Sequence, residues 1–99
     1  MNKDAFTEWM NNALNKKGAK RFKPITIQYY FKALDIARKE IDSYTNIFDI
    51  SDIREYEVVE SIIRNDSRFK SVNYYATKGM KGHLSAVLGA YRDFLADLR

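Results

Sequence analysis

The residues best suited to binding chemistry are cations clustered ahead of the longest periodic segment of this 99-residue chain. Five positive charges fall within eight residues, at Lys16, Lys17, Lys20, Arg21 and Lys23. No acidic residue interrupts the sequence between Asn11 and Gln28. Lysine and arginine neutralise phosphates and supply most of the sequence-independent affinity of proteins for DNA. The cluster therefore favours a polyanion as ligand, although charge runs are also common on solvated surfaces.

The overall charge is placed unevenly along the chain. Residues 1–44 carry nine Lys or Arg against five Asp or Glu, whereas residues 45–99 carry eight of each. The whole net charge of +4 therefore belongs to the first half. This distribution disfavours an acidic mimic of DNA and is compatible with a protein that meets an acidic partner.

Side chains that could catalyse a reaction lack partners at a recognisable spacing. His83 is the only histidine and cysteine is absent, whereas a zinc site needs three or four ligands. No acidic residue is followed two positions later by lysine, as in a common nuclease element, and neither a phosphate-binding loop nor a nucleophile elbow is present. We therefore expect no enzymatic activity and no cofactor, and we interpret His83 as a loop residue able to touch a phosphate.

The element that would position the cations is a helix predicted from Thr26 to Tyr44. Apolar residues recur there every three or four positions. Thr26 is expected to be the N-cap, because its hydroxyl can accept from a first-turn N–H, and Pro24 is expected to lie before the helix. Unpaired N–H groups and the helix dipole attract anions to such a start.

Four further helices are predicted on the same grounds. They run from Asp4, as a cap, to about Lys16, from Asp52 to about Asn65, from near Phe69 to before Thr77, and from about Lys81 to the end. Asp49 or Ser51 is expected to cap the second of these. Gly89 lies inside the last predicted helix, and we expect another helix to pass close to it. The apolar stripes also place in the core Leu14, Ile62 and Leu98.

These elements predict an all-α fold, a compact orthogonal bundle of four to five helices forming a single domain over residues 1–99. The absence of cysteine permits an intracellular location, and no apolar run approaches the ~20 residues that span a bilayer. We therefore expect a cytoplasmic protein with no membrane contact. The oligomeric state is left open.

Several residues resemble, in order and spacing, those of one known family. They are Phe6 and Trp9, then Thr26, Tyr30 and Leu34, then Asn46 to Ile50, and finally Ser85, Ala86, Tyr91, Phe94 and Leu95. This order resembles the SAM-like core-binding domain of tyrosine recombinases, especially the compact variant fused to restriction-type endonucleases and phage-defence proteins. The resemblance implies a bundle that clamps double-stranded DNA and leaves catalysis to a partner domain. It implies DNA contacts by Lys20, Arg21, Lys23, Thr26 and Gln28, opposite Lys78, Lys81 and His83.

Two functions are compatible with the sequence. The first is a DNA-binding module, the targeting part of a restriction, recombination or phage-defence system, in which Arg21, Gln28 or Asn73 could reach a base edge. The second is a protein-interaction module, such as a small phage- or mobile-element-encoded inhibitor that docks on a host nuclease. Loss of binding at high salt would favour the first function.

Overall fold

The computed structural model describes residues 2–75 and 82–98, which form five α-helices and one short 3-10 turn. The elements are α1 (Lys3–Asn12), α2 (Pro24–Glu40), the 3-10 turn (Ile47–Asp49), α3 (Ile53–Arg64), α4 (Phe69–Tyr75) and α5 (His83–Asp97). The all-α bundle predicted from the apolar periodicity is confirmed. Across the described ranges, each helix is too short or too polar to cross a bilayer.

Helix α5 lies at the centre of the bundle and contacts all four other helices. Its buried positions recur every three or four residues and form one broad face, which the neighbouring helices cover. Full burial of a large apolar side chain stabilises a fold by roughly 1.5–3 kcal/mol, and α5 has the most buried residues of the described helices. The buried residues of α5 are Leu84, Val87, Leu88, Ala90, Tyr91, Phe94 and Leu95.

A charged network joins α3 to α5 beside this core. Glu60 is only 3% exposed, and its carboxylate accepts from Arg64 Nε at 2.7 Å and from Arg92 Nη1 at 3.2 Å. Arg64 also donates to the Ser85 hydroxyl at 2.7 Å. A buried carboxylate is tolerated when paired and hydrogen-bonded, as here, and removal of both arginines would leave an uncompensated charge.

The bounds predicted for α2 were wrong at both ends. The helix begins at Pro24, with Lys23 as its N-cap, rather than at a Thr26 cap. Proline fits the first helical position because its missing N–H would have no helical partner there. The helix ends at Glu40 because Ile41 adopts extended backbone at φ −107° and ψ 110°, so Tyr44 lies beyond it.

Helices α1 and α3 also differ from their predicted bounds. Helix α1 ends at Asn12 rather than near Lys16, because Ala13 turns to extended backbone, and Asp4 lies within its first turn. Helix α3 is capped by Asp52, rather than by either predicted cap, Asp49 or Ser51. The Asp52 carboxylate accepts from the backbone N–H of Arg54 at 2.7 Å.

Three aliphatic residues predicted to be in the core are exposed instead. Leu14 is 62% exposed, because α1 has already ended and its stripe no longer faces the bundle. Ile62 is 52% exposed, while its neighbour Ile63 occupies the buried position of that helical turn. Leu98 follows the last residue of α5 and is 59% exposed.

Buried phenols contribute to the core as hydrogen-bonded aromatic groups. Tyr56 donates to the Leu88 carbonyl at 2.7 Å, and burial raises the pKa of its phenol. Burial likewise raises the pKa of the Tyr44 phenol to about 12. Both side chains are therefore held in the protonated form by the fold.

The replacement Gly89→Ala should stabilise the protein. The prediction that another helix passes close to Gly89 was wrong. Among the described residues, a Cβ at position 89 would contact only Arg92 Nη2, at the ordinary distance of 3.8 Å. Removing a glycine from a helix interior should raise the free energy of unfolding by about 0.5–1 kcal/mol, measurable by urea denaturation. As a contrast, Gly82→Ala should destabilise the protein because Gly82 has φ +83°. Equal changes in the free energy of unfolding would contradict the conclusion that alanine fits at position 89 but not at position 82.

Stability should fall as the pH rises from about 10 to about 12, in part through Tyr44. The unfolded chain releases the phenol proton near pH 10, before the folded protein does, so ionisation favours unfolding. Relative to that of the Tyr44→Phe variant, the free energy of unfolding of the wild-type protein should fall by up to about 1.4 kcal/mol per pH unit in this window. Urea denaturation of both proteins from pH 8 to pH 11 measures the difference, and a constant difference would contradict the prediction.

Candidate nucleic-acid interface

Four of the five residues of the predicted cationic cluster lie on a small hairpin, residues 13–21, which we call the basic hairpin. A single antiparallel bridge joins Leu14 and Lys20. The backbone N–H of Arg21 donates to the Ala13 carbonyl at 2.9 Å. The segment is therefore paired backbone with a defined shape, although sequence periodicity gave it no secondary structure.

Asn15 and Gly18 shape the tip of the basic hairpin. The Asn15 side-chain oxygen accepts from the backbone N–H of Lys17 at 2.9 Å and of Ala19 at 3.1 Å. The Gly18 N–H donates to the Asn15 carbonyl at 3.0 Å, and Gly18 has φ +79°, a conformation that favours glycine. These bonds occupy the backbone polar groups, so the lysine side chains extend from a fixed turn.

Arg21 attaches the basic hairpin to the bundle. Its Nη2 lies 2.6 Å from Asp93 Oδ2 of α5, and its guanidinium lies 4.8 Å from the Phe22 ring and 5.5 Å from the Trp9 ring. The Trp9 indole N–H donates in turn to Asp97 Oδ2 at 2.9 Å. Arg21 was predicted to contact DNA, but this geometry commits its charge to a carboxylate and its flat face to aromatic rings.

The four predicted lysines of this region are exposed and have no ionic partner in the part of the chain that the structure describes. By contrast, Arg38 and Lys39 pair with Asp35, and Arg68 pairs with Glu40. Because no described carboxylate lies within ion-pair distance of these lysines, their charges face solvent. These residues are Lys16, Lys17, Lys20 and Lys23.

The start of α2 continues this positive surface. Lys23 is the N-cap position, the first turn contains no acidic residue, and no side chain caps the helix. Thr26 is half-buried and Gln28 is exposed, both within the first two turns. The dipole at this end attracts anions, so it reinforces the lysines rather than opposing them.

His83 lies at the same end of α2. Its ring centroid is 5.3 Å from that of Tyr29 and 5.9 Å from that of Tyr30. The Tyr30 ring also contacts Phe22, at 5.9 Å, so one ring separates His83 from the base of the basic hairpin. The structure thus places His83 near the base of the basic hairpin, while Lys78 and Lys81 lie outside the described residues.

Asn73, considered from sequence as a base contact, has a structural role. Its side-chain oxygen accepts from the Ser85 N–H at 2.9 Å, and its carbonyl accepts from the Gly82 N–H at 3.0 Å. Asn73 therefore caps α5 from α4, in place of a local capping side chain. This role was missed because the capping residue lies twelve positions away, beyond the span of a local capping motif.

Sequence reasoning also missed the acidic residues that complete the site. Asp93 and Asp97 are four positions apart, one helical turn, and they bind Arg21 and Trp9 respectively. Their spacing could have indicated a shared helix face. No local signal could have matched that face with a loop more than seventy positions away in sequence.

No protein-family model, curated protein or solved structure matches this chain. The resemblance to the core-binding domain of tyrosine recombinases therefore stays a prediction. In the described ranges, no three His, Asp or Glu side chains are grouped so as to hold a metal ion. Assignment of the site rests on its geometry and charge.

Replacement of Arg21 by alanine should destabilise the protein by about 1–2 kcal/mol. The change removes a half-exposed ion pair, worth roughly 0–1 kcal/mol, and cation–π contacts of similar size. Trp9 fluorescence should shift, because the guanidinium would no longer cover the indole. Lys20→Ala, at the neighbouring exposed position, should change stability by less than about 0.5 kcal/mol. Equal losses would show that Arg21 does not anchor the hairpin.

Proposed function

We propose that this chain is a DNA-binding module without catalysis of its own, acting through one basic surface. We define the basic surface as the four exposed lysines and the first turn of α2. The observation that carries the proposal is the concentration of unpaired positive charge beside an uncapped helix start. Phosphate contacts of this kind dominate the affinity of proteins for DNA. The lysines concerned are Lys16, Lys17, Lys20 and Lys23.

The fixed shape of the basic hairpin supports this proposal. Its shape is held by backbone bonds and the Arg21–Asp93 pair within the chain, so less conformational entropy is lost on binding. Arg21 also uses its charge internally, which leaves the outward contacts to the lysines. A pre-formed cationic surface can associate rapidly with a polyanion at low salt.

The dimensions of the bundle are also compatible with a DNA ligand. Its longest extent is 37 Å, close to the ~34–36 Å of one turn of B-form DNA. A duplex of about ten base pairs is therefore about as long as the molecule. On the family resemblance, such a module would target a restriction, recombination or phage-defence assembly whose catalytic residues belong to another domain.

Removing two hairpin lysines should weaken DNA binding and reduce its salt dependence. Each phosphate contact contributes about −0.9 to the slope of log K against log salt concentration. The double replacement Lys16→Ala and Lys17→Ala should therefore make the slope shallower by about 1.8. Fluorescence anisotropy with a labelled 20-base-pair duplex at several salt concentrations measures this change.

The matched control removes two exposed lysines elsewhere, by Lys32→Ala and Lys70→Ala. Both variants lose the same net charge, so a general electrostatic effect would change both slopes equally. The proposal expects a clearly larger change for the hairpin variant. Equal changes would contradict the assigned surface, and undetectable binding of the wild-type chain at low salt would reject DNA binding.

A second candidate function is docking on an acidic protein. It is favoured by two aliphatic residues on or beside the basic hairpin, Leu14 at 62% and Ile25 at 48% exposure. Apolar side chains among lysines would suit an acidic groove with an apolar floor, as a nuclease inhibitor requires. Undetectable DNA binding together with tight binding to a purified acidic nuclease would establish this function instead.

A further inference from the structure

We infer that the basic surface binds the phosphate backbone of duplex DNA and does not read base sequence. This inference rests on the proposed function and specifies its ligand. Two features carry it: hydrogen bonds within the protein hold most of the side chains suited to base recognition, and the aromatic rings beside the described part of the surface are buried or half-buried.

Base edges are read mainly by Arg, Asn and Gln, whose paired donors and acceptors match one base at a time. Near the basic hairpin, Arg21, Asn15 and Asn12 already have partners within the protein. Arg21 binds Asp93 at 2.6 Å, and the Asn15 oxygen accepts two backbone N–H groups. The Asn12 amide donates to the Glu8 carbonyl at 2.9 Å. Base recognition by Arg21 or Asn15 would disturb contacts that anchor or shape the hairpin.

Asn73, the other amide considered for base contact, is equally committed. It caps α5 through the Ser85 N–H at 2.9 Å, so turning it toward DNA would uncap the central helix. Among the described Arg, Asn and Gln residues near the basic hairpin, this leaves Gln28, exposed on α2, and Asn11, exposed in the last turn of α1. Two separate amides could each favour adenine at one position, which is too little to specify a site.

Lysine is suited to contacts with the phosphate backbone. Its ammonium group is a compact charge on a flexible stem with rotatable donors, so it follows phosphates without the fixed fork of arginine. Four such side chains at the hairpin and the α2 start would bind phosphates of any sequence. Their number limits the phosphate contacts of the described surface to a few, in keeping with moderate affinity.

Proteins that bind single strands stack the bases on exposed aromatic rings. The described part of the basic surface has no aromatic ring that is exposed to this extent. Trp9 and Phe22 lie against the Arg21 guanidinium, and Tyr29 packs on His83. Tyr74 is the exposed aromatic residue among the described large apolar side chains, and it lies in α4 rather than on the basic surface. Backbone contacts to a duplex are therefore favoured over stacking on a single strand.

Competition binding with the full chain tests the inference. A labelled 20-base-pair duplex is displaced at low salt by unlabelled duplexes of unrelated sequence and by single strands of the same length. We expect the duplexes to compete within about threefold of one another and the single strands several-fold more weakly. Gln28→Ala should leave all these affinities within about twofold of the wild-type values.

Each other result has a distinct meaning. A duplex that binds more than about tenfold better than the rest would overturn the inference while leaving DNA binding intact. Single strands that compete as well as duplexes would also overturn it. Sequence-dependent losses in Gln28→Ala would identify this residue as a base reader, contrary to the inference. Failure of every nucleic acid to bind would instead reject the proposed function itself.

Discussion

The packing of aromatic rings against α5 is the constraint on which the rest of the structure depends. Tyr91 is fully buried, and its ring contacts Phe6 at 5.1 Å and Tyr56 at 5.1 Å between centroids. Its hydroxyl donates to the Ile50 carbonyl at 2.8 Å and accepts from the Asn2 amide at 3.1 Å. One side chain thus joins α1, the segment after the 3-10 turn, α3 and α5. Because its polar atom is satisfied, it can be buried without the penalty of an unpaired hydroxyl.

The outer side of this aromatic cluster carries the candidate interface. Trp9 contacts Phe6 on its inner side and Phe22 on its outer side, so the core extends toward the basic hairpin. Arg21 closes the arrangement by lying over both outer rings while pairing with Asp93. The cations of this region therefore have different roles: the arginine belongs to the fold, and the lysines remain available to a ligand. The cations look alike in the sequence, but their contacts separate Arg21 from the lysines.

Helical periodicity was sufficient to determine the fold class and the existence of each helix. The apolar periodicity predicted the long helices α2 and α5 and also the short α4. Helix ends were less well determined, since they depend on where the backbone leaves helical geometry, as at Ile41. The burial of single residues failed where a stripe continued past its helix, as at Leu14 and Leu98. Packing against neighbours, rather than local pattern, decides such cases.

For the candidate site, the sequence by itself determined the sign and location of the charge: a run of cations ahead of the longest helix. Only the tertiary structure decided which of these cations face outward. Arg21 meets Asp93 across seventy-two positions, and Asn73 caps α5 from another helix. Charge is a property of each residue and is visible in the sequence. Pairing is a property of two residues brought together by folding, and no local pattern records it.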